Sequence, residues 1–225
     1  MDVNKDKTPP TQQLRMRLVF MGAAGVGKTA LIQRFLADKF EPKHRRTVEE
    51  LHSKEYELHG GLKVTVEIMD TSGSYSFPAM RKLSIQSSDA FALVYAVDDP
   101  DSLEAVKSLR QEILEVKADK LTPIVVVGNK TDKPESERQV PSDDVLSTVE
   151  LDWNGSFLET SAKEDENVVE VFRELLQQVN LPSRLSPALH RRTRRDTFPN
   201  KEPNGNGNGL TLRPPMNKTN SCTVS

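Results

Sequence analysis

The segment that most constrains this chain is residues 22–29, Gly-Ala-Ala-Gly-Val-Gly-Lys-Thr, which fit the pattern G-x-x-x-x-G-K-[ST]. Glycines in such a loop allow backbone N–H groups to point at phosphate oxygens, and the positive end of the following helix faces the same anion. We expect Lys28 to contact the β and γ phosphates and the Thr29 hydroxyl to bind Mg²⁺. The loop lies between an apolar strand pattern, residues 18–21, and a helical pattern, residues 28–37, which is the context that the motif requires.

This motif predicts a nucleoside triphosphate site, and by itself it leaves ATP and GTP open. The candidate phosphate-contacting residues are Gly22, Ala23, Ala24, Gly25, Val26, Gly27, Lys28, Thr29 and Ala30.

The composition changes near Leu181, where regularly recurring apolar segments give way to prolines and an Asn-Gly repeat at 204–209. We predict one globular domain, residues 14–181, between a flexible N-terminus, 1–13, and a disordered basic tail, 182–225.

The net charge of −2 implies no overall affinity for nucleic acid. Cys222 is the single cysteine, so a disulfide within the chain is excluded. No apolar stretch approaches the roughly 18 residues of a membrane-spanning helix.

Strand-like and helical patterns alternate within the predicted domain. Residues 90–97 and 124–127 are apolar runs that suit strands buried on both faces of a parallel sheet. Residues 51–58 and 62–69 predict a hairpin around Gly60-Gly61, which makes one strand antiparallel. Helical spacing marks residues 102–116 and an apolar stripe after Asn167, which with Glu170 forms a candidate capping pair. The pattern predicts an α/β fold with a mostly parallel sheet and helices on both faces.

Two further segments bear on the choice of base. Asn129-Lys130-Thr-Asp132 follows an apolar strand, and the Asp132 carboxylate can accept from the ring N–H and exocyclic amine of guanine, which adenine lacks. Asn129 can tie this loop to the phosphate loop, and the stem of Lys130 can lie over the base. A third segment, Ser161, Ala162 and Lys163, follows another strand pattern, and the Ala162 N–H is a candidate donor to the guanine carbonyl.

These motifs, in this order and spacing, resemble the Ras family of small GTPases over residues 14–181. Residues 70–73, 77–81 and 83–85 are most similar to the Dexras/Rhes and Di-Ras branches. The resemblance implies a P-loop NTPase G domain with a six-stranded sheet that binds GTP and GDP.

The resemblance also assigns roles to four further residues. It implies that Thr47 ligates Mg²⁺ when GTP is bound and that Asp70 holds the ion through water, so that Thr29, Thr47 and Asp70 form the metal set. It implies that the Gly73 N–H meets the γ-phosphate and that Phe40 packs on the guanine edge. Loss of the γ-phosphate then releases the two switch segments, the one that contains Thr47 and the one that contains Gly73.

Three positions depart from the family pattern. Ser74 replaces the glutamine that orients the attacking water, Ala24 replaces a glycine near the γ-phosphate, and Arg46 replaces a proline. With Lys28, Thr47, Gly73 and Ser74 as the catalytic set, we predict slow GTP hydrolysis. One alternative is that an activating protein supplies the missing group and turnover is ordinary. Another is a GTP-bound interaction module with negligible hydrolysis. A third, an ATP-using kinase, is disfavoured by Asp132 and residues 161–163.

The tail suggests how the protein is anchored. Residues 222–225, Cys-Thr-Val-Ser, fit the C-a-a-X pattern with serine favouring farnesyl, a modification accompanied by methylation. The basic run 190–195 is a candidate second membrane signal, although Cys222 lies 27 residues after Arg195. A nuclear-import signal, an acidic-partner site and a solvated run remain open for this segment.

We expect a monomer on the cytoplasmic face of the plasma membrane. We expect effectors to bind residues 47–51 and 77–80, and we expect an exchange factor and an activating protein as further partners.

Overall fold

The computed structural model describes residues 13–43, 47–57, 63–73 and 78–181. The predictions for residues 1–12, Arg46, Gly60-Gly61, Ser74, Phe77 and the tail with Cys222 lie outside these residues. The described elements are β1 (Gln13–Met21), α1 (Lys28–Ala37), β2 (Glu50–Glu57), β3 (Lys63–Asp70), α2 (Pro78–Gln86), β4 (Ala90–Ala96), α3 (Pro100–Lys117), β5 (Ile124–Asn129), α4 (Ser142–Ser147), β6 (Ser156–Thr160) and α5 (Val168–Gln178). A 3₁₀ turn, Glu135–Glu137, precedes α4, and a π-helical turn, Thr148–Asp152, follows it.

The six strands form one sheet in the order β2-β3-β1-β4-β5-β6. β1 pairs in parallel with β3 and β4, and β5 pairs in parallel with β4 and β6. β2 runs antiparallel to β3, with Leu51 opposite Met69. The prediction of a six-stranded, mostly parallel sheet with one antiparallel strand is confirmed.

Helices cover both faces of this sheet and bury a separate apolar cluster on each. On one face Phe20 of β1 packs with Phe35 of α1 and Phe172 of α5. On the other face Val19 packs with Ile85 of α2, Ile113 of α3 and Val145 of α4. Because alternate residues of β1 point to opposite faces, neighbouring side chains of one strand serve the two clusters.

β1 is longer than the apolar run at 18–21 predicts. Its first half carries Arg15 and Arg17, which contact Glu67 on the neighbouring strand β3. Burial alone would raise the pKa of the Glu67 carboxyl, but hydrogen bonds from these two arginines and their charges hold it below its ordinary value of 4.5. The ion pair therefore allows charged residues inside a paired strand.

The starts of α3 and α5 differ in whether a side chain caps the helix. α3 begins at Pro100 after Asp99, whose carboxylate accepts from the Ser102 N–H at 3.3 Å. The capping pair predicted for α5 is wrong. Asn167 precedes α5 with a φ of 52°, whereas an N-cap residue is normally extended, and its side chain accepts no cap hydrogen bond. Its Nδ2 instead donates to the Glu159 carbonyl at 2.9 Å.

Candidate functional site

The loop between β1 and α1 has a backbone that its glycines require. Gly22, Gly25 and Gly27 have φ values of 147°, 78° and 103°, in the region that side chains rarely adopt. A Cβ at Gly22 would lie 2.0 Å from the carbonyl oxygen of Val94 in β4. The loop is therefore pressed against the carboxyl end of the sheet, where ligands bind in open α/β folds.

Lys28 is buried beneath this loop. Its Nζ donates to the carbonyl oxygens of Gly22 at 2.9 Å and Ala23 at 2.8 Å. Burial lowers the pKa of the Lys28 ammonium to about 8, although the Asp70 carboxylate opposes the shift. The backbone carbonyls hold the amine in place inside the loop.

Three oxygen-bearing side chains meet beside the loop. Thr29 Oγ1 donates to Asp70 Oδ2 at 2.6 Å and lies 2.9 Å from Thr47 Oγ1. Asp70 Oδ1 is buried and has no hydrogen-bond partner among the described residues. Burial raises the pKa of the Asp70 carboxyl, opposed by the hydrogen bond from Thr29. An unsatisfied carboxylate oxygen beside two hydroxyls is a hard oxygen donor set, which fits Mg²⁺.

Gly73 lies directly against the phosphate loop. A Cβ at Gly73 would be 2.2 Å from the backbone nitrogen of Ala24 and 2.4 Å from its Cα. The side chain of Ala24 is itself exposed. The segment that follows β3 therefore contacts the backbone of the phosphate loop at Ala24.

Asn129, at the end of β5, connects the phosphate loop to the loop after β6. Its Nδ2 donates to the Val26 carbonyl at 2.8 Å, and its Oδ1 accepts from Thr160 Oγ1 and from the Ala162 N–H, each at 3.2 Å. The Ala162 N–H was expected to face a guanine carbonyl, but here it donates to Asn129 Oδ1.

Asp132 is held by the loop after β6. Ser161 Oγ donates to Asp132 Oδ1 at 2.7 Å, and Lys163 Nζ lies 3.4 Å from Asp132 Oδ2. Lys130, with a φ of 74°, places its Nζ 3.5 Å from the carboxylate of Asp98. The motif residues 129, 130, 132 and 161–163 thus meet at one end of the sheet.

Phe40 is half-buried, packs against the cluster formed with α1 and α5, and has the Arg34 guanidinium 5.9 Å from its ring centroid. The sequence motifs did not single out Arg34, which also donates to the carbonyl oxygens of Ala162 and Lys163. They also missed Asp98, which pairs with Lys130 and Lys133. Both residues make contacts with residues far away in the sequence, so no local sequence pattern could have identified them.

The sheet order, the glycine loop between β1 and α1, and the loops that Asn129 brings together define a P-loop nucleotide-binding domain of the α/β class. The model of the Ras family matches residues 17–181. The chain therefore belongs to the Ras family of small GTPases, which are GTP hydrolases.

Curated relatives agree with this assignment. GTP-binding protein Rhes of Mus musculus is 43% identical over 183 residues, covering 77% of this chain and 68% of the relative. Rhes of Homo sapiens is 42% identical over 185 residues, covering 78% and 69%. GTP-binding protein Di-Ras2 of Pongo abelii is 39% identical over 181 residues, covering 80% and 88%. The similarity to the Rhes and Di-Ras branches inferred from the sequence is confirmed.

Proposed function

We propose that this GTPase is a signalling switch that alternates between GTP and GDP with bound Mg²⁺ and hydrolyses GTP slowly. The observation that carries the proposal is the position of Asn129, whose amide contacts Val26 on the phosphate side and Ala162 on the base side. One buried side chain thereby links the phosphate loop to the loop after β6, which supports the proposal that both belong to one nucleotide site.

On the base side, Asp132 is proposed to accept from the ring N–H and exocyclic amine of guanine. Ser161 and Lys163 hold its two carboxylate oxygens in place, which orients the group before the base arrives. Lys130 is proposed to lie over the base, with its ammonium held near Asp98, and Phe40 to cover the guanine edge. Adenine leaves the Asp132 carboxylate without its donors, so the site favours guanine.

On the phosphate side, residues 22–30 are proposed to surround the phosphates. The Lys28 ammonium exchanges its carbonyl partners for phosphate oxygens. The hydroxyls of Thr29 and Thr47 and the carboxylate of Asp70 would hold Mg²⁺, which when bound neutralises charge on the β and γ phosphates. Gly73 is proposed to donate its N–H to the γ-phosphate, so that this segment and Thr47 respond to the nucleotide state.

Slow hydrolysis is proposed from two residues. Serine at 74 is too short to orient the attacking water as a glutamine does, and the Ala24 methyl narrows the space where the γ-phosphate and a partner's arginine meet. Single-turnover GTP hydrolysis of the wild-type chain, Ser74→Gln and Ala24→Gly tests this. We expect both substitutions to speed hydrolysis. A wild-type rate equal to that of ordinary Ras and unchanged by either substitution would contradict the proposal of slow hydrolysis.

A GTP-bound interaction module with negligible hydrolysis is a second candidate, which the close approach of Gly73 to Ala24 favours. A water or an arginine has to enter between these segments, whose backbones already lie in close contact. The nucleotide bound after purification separates the two candidates: mainly GDP indicates a cycling enzyme, and mainly GTP indicates the module.

The proposed partners bind at the switch face, the surface that carries four exposed large hydrophobic residues, Val48, Leu51, Met80 and Leu83. Exposed apolar residues of this kind are expected on a surface that effectors cover. An exchange factor and an activating protein would act on the same segments.

Membrane anchoring is proposed from the sequence of the tail, through a farnesyl group on Cys222 assisted by the arginines at 191–195. Among the described residues no helix is long and apolar enough to cross a membrane. Fractionation of cells expressing Cys222→Ser, or a variant lacking the four arginines, tests the two signals separately. Unchanged membrane association of Cys222→Ser would contradict the lipid anchor, and unchanged association of the arginine variant would contradict the basic run's assistance.

A further inference from the structure

Arg34, in the middle of α1, contacts two segments, residues 162–163 after β6 and residues 38–40 after α1. Its Nε donates to the Ala162 carbonyl at 3.0 Å, and its Nη2 donates to the Lys163 carbonyl at 2.9 Å. Its Nη1 lies 3.4 Å from both the carbonyl oxygen and the Oδ1 of Asp38, just after α1. Its Cζ lies 5.9 Å from the centroid of the Phe40 ring.

The two short hydrogen bonds depend on the shape of the guanidinium. Its N–H groups form a rigid planar fork, so Nε and Nη2 can reach the carbonyl oxygens of two consecutive residues together. The side chain of Arg34 is 15% exposed, which limits screening by water. A lysine ammonium donates from one nitrogen only, so it does not reproduce a pair of parallel bonds from two separate nitrogens.

The loop that Arg34 contacts is the one that orients Asp132. Paired backbone hydrogen bonds between Ser161 and Glu166, of 3.1 and 2.9 Å, close the loop at its base. Ser161 and Lys163 then contact the Asp132 carboxylate through their side chains. Arg34 therefore acts on Asp132 through the loop, without touching it.

We infer that Arg34 is a positioning residue that sets how long a guanine nucleotide stays bound. The inference rests on the proposed function. α1 begins with Lys28 and Thr29 on the phosphate side, and Arg34 lies less than two turns further along the same helix. The guanidinium thus joins the phosphate-side helix to the base-side loop, and losing this link acts mainly on the rate of nucleotide release.

The release rate of fluorescent GDP from the full chain, in Mg²⁺ and excess unlabelled GDP, tests the inference. We expect Arg34→Ala to release GDP about tenfold faster or more, where tenfold corresponds to about 1.4 kcal/mol. Arg34→Lys should restore only part of the difference, because a single nitrogen would then replace Nε and Nη2, which reach the two carbonyl oxygens from separate positions. Arg173→Ala, which removes a half-buried arginine paired with Glu170 on α5, is the matched control and should release GDP as the wild type does.

Two results would overturn the inference: release from Arg34→Ala within about twofold of the wild type, or full restoration by Arg34→Lys. A wild-type chain that fails to retain GDP would instead overturn the proposed function.

Base discrimination separates positioning from a general structural role. Inosine diphosphate lacks the exocyclic amine that Asp132 is proposed to bind, so the wild type should retain GDP longer than inosine diphosphate. We expect this preference to shrink in Arg34→Ala, because the loop that orients Asp132 is released. Equal acceleration for both nucleotides would show that Arg34 acts on the fold as a whole, and the inference would be wrong.

Discussion

Asn129 Nδ2 donates to the carbonyl oxygen of Val26 at 2.8 Å, a contact between residues 103 positions apart in the chain. Both residues are buried, so the hydrogen bond is shielded from water and an unpaired partner would be costly. A Cβ at Gly27 would lie 2.2 Å from the same amide nitrogen. The phosphate loop therefore lies in direct contact with the end of β5, with no room for a side chain at position 27.

Replacing this amide donor tests its role. Asn129→Asp keeps the shape of the side chain but turns a carboxylate oxygen toward the Val26 carbonyl. Losing a buried hydrogen-bond partner costs about 1–3 kcal/mol, so we expect GDP affinity, measured by titration calorimetry, to fall about 5- to 150-fold. Asn154→Asp changes an exposed asparagine in the same way and should leave affinity unchanged. Equal affinities for the two variants would contradict the role of Asn129.

Gly73→Ala tests the contact between the segment after β3 and the phosphate loop. The added Cβ would meet backbone atoms of Ala24, which cannot move aside as a flexible side chain does. The segment must shift, and the Gly73 N–H then loses its proposed place at the γ-phosphate. We expect single-turnover GTP hydrolysis to fall by about 10²-fold, as for removal of a transition-state donor, while GDP affinity changes little.

The control for this substitution is Gly155→Ala, whose Cβ would lie 3.4 Å from the Val149 Cγ1 atom, an ordinary contact. This variant should hydrolyse GTP at the wild-type rate. A Gly73→Ala protein that also hydrolyses GTP at the wild-type rate would show that the segment does not act on the γ-phosphate.

The Glu67 ion pair predicts a pH dependence of stability. Its pKa is lower in the folded chain than its ordinary value of 4.5, so its contribution is complete above that value and is lost as the pH falls through the lower folded pKa. We expect Glu67→Gln to reduce the free energy of unfolding by about 2 kcal/mol at pH 7, because hydrogen bonds to a charged group are lost. Denaturant unfolding should show this difference shrinking as the pH falls below 4.5.

Glu170→Gln is the control for this prediction, since Glu170 forms a more exposed pair with Arg173 on α5, where the side chains are 40% and 38% exposed. Its effect should stay within about 0.5 kcal/mol at either pH. A Glu67→Gln difference that stays constant down to pH 3 would contradict the account of Glu67.

Much of the sheet could be predicted because its signals are local. β4 is buried at all of its positions and appears in the sequence as an uninterrupted apolar run. β1 was predicted too short because Arg15 and Arg17 interrupt its pattern, and the residue that accommodates them, Glu67, is 50 positions away. α2 and α4 escaped prediction for a different reason. They bury only Ser84, Ile85 and Val145, so they carry almost no apolar stripe.

The motifs identified candidate site residues but not the contacts among them. The pairing of Thr29 with Asp70 depends on β1 and β3 lying side by side, which no local pattern states. The contact of Arg34 with Ala162 depends on α1 and α5 sharing one face of the sheet. The Asn167 cap failed because the backbone there is left-handed, with a φ of 52°, while its side-chain amide donates to the Glu159 carbonyl at the end of β6.

Whether this protein is a guanine-nucleotide switch is decided by identifying the nucleotide that denaturation releases from the purified wild-type chain. Because Asp132 and the loop at 161–163 are proposed to select guanine, we expect GDP or GTP in nearly stoichiometric amount, resolved by ion-exchange chromatography against standards. Adenine nucleotides in that amount, or no nucleotide from a folded protein that also fails to bind added GDP, would contradict it.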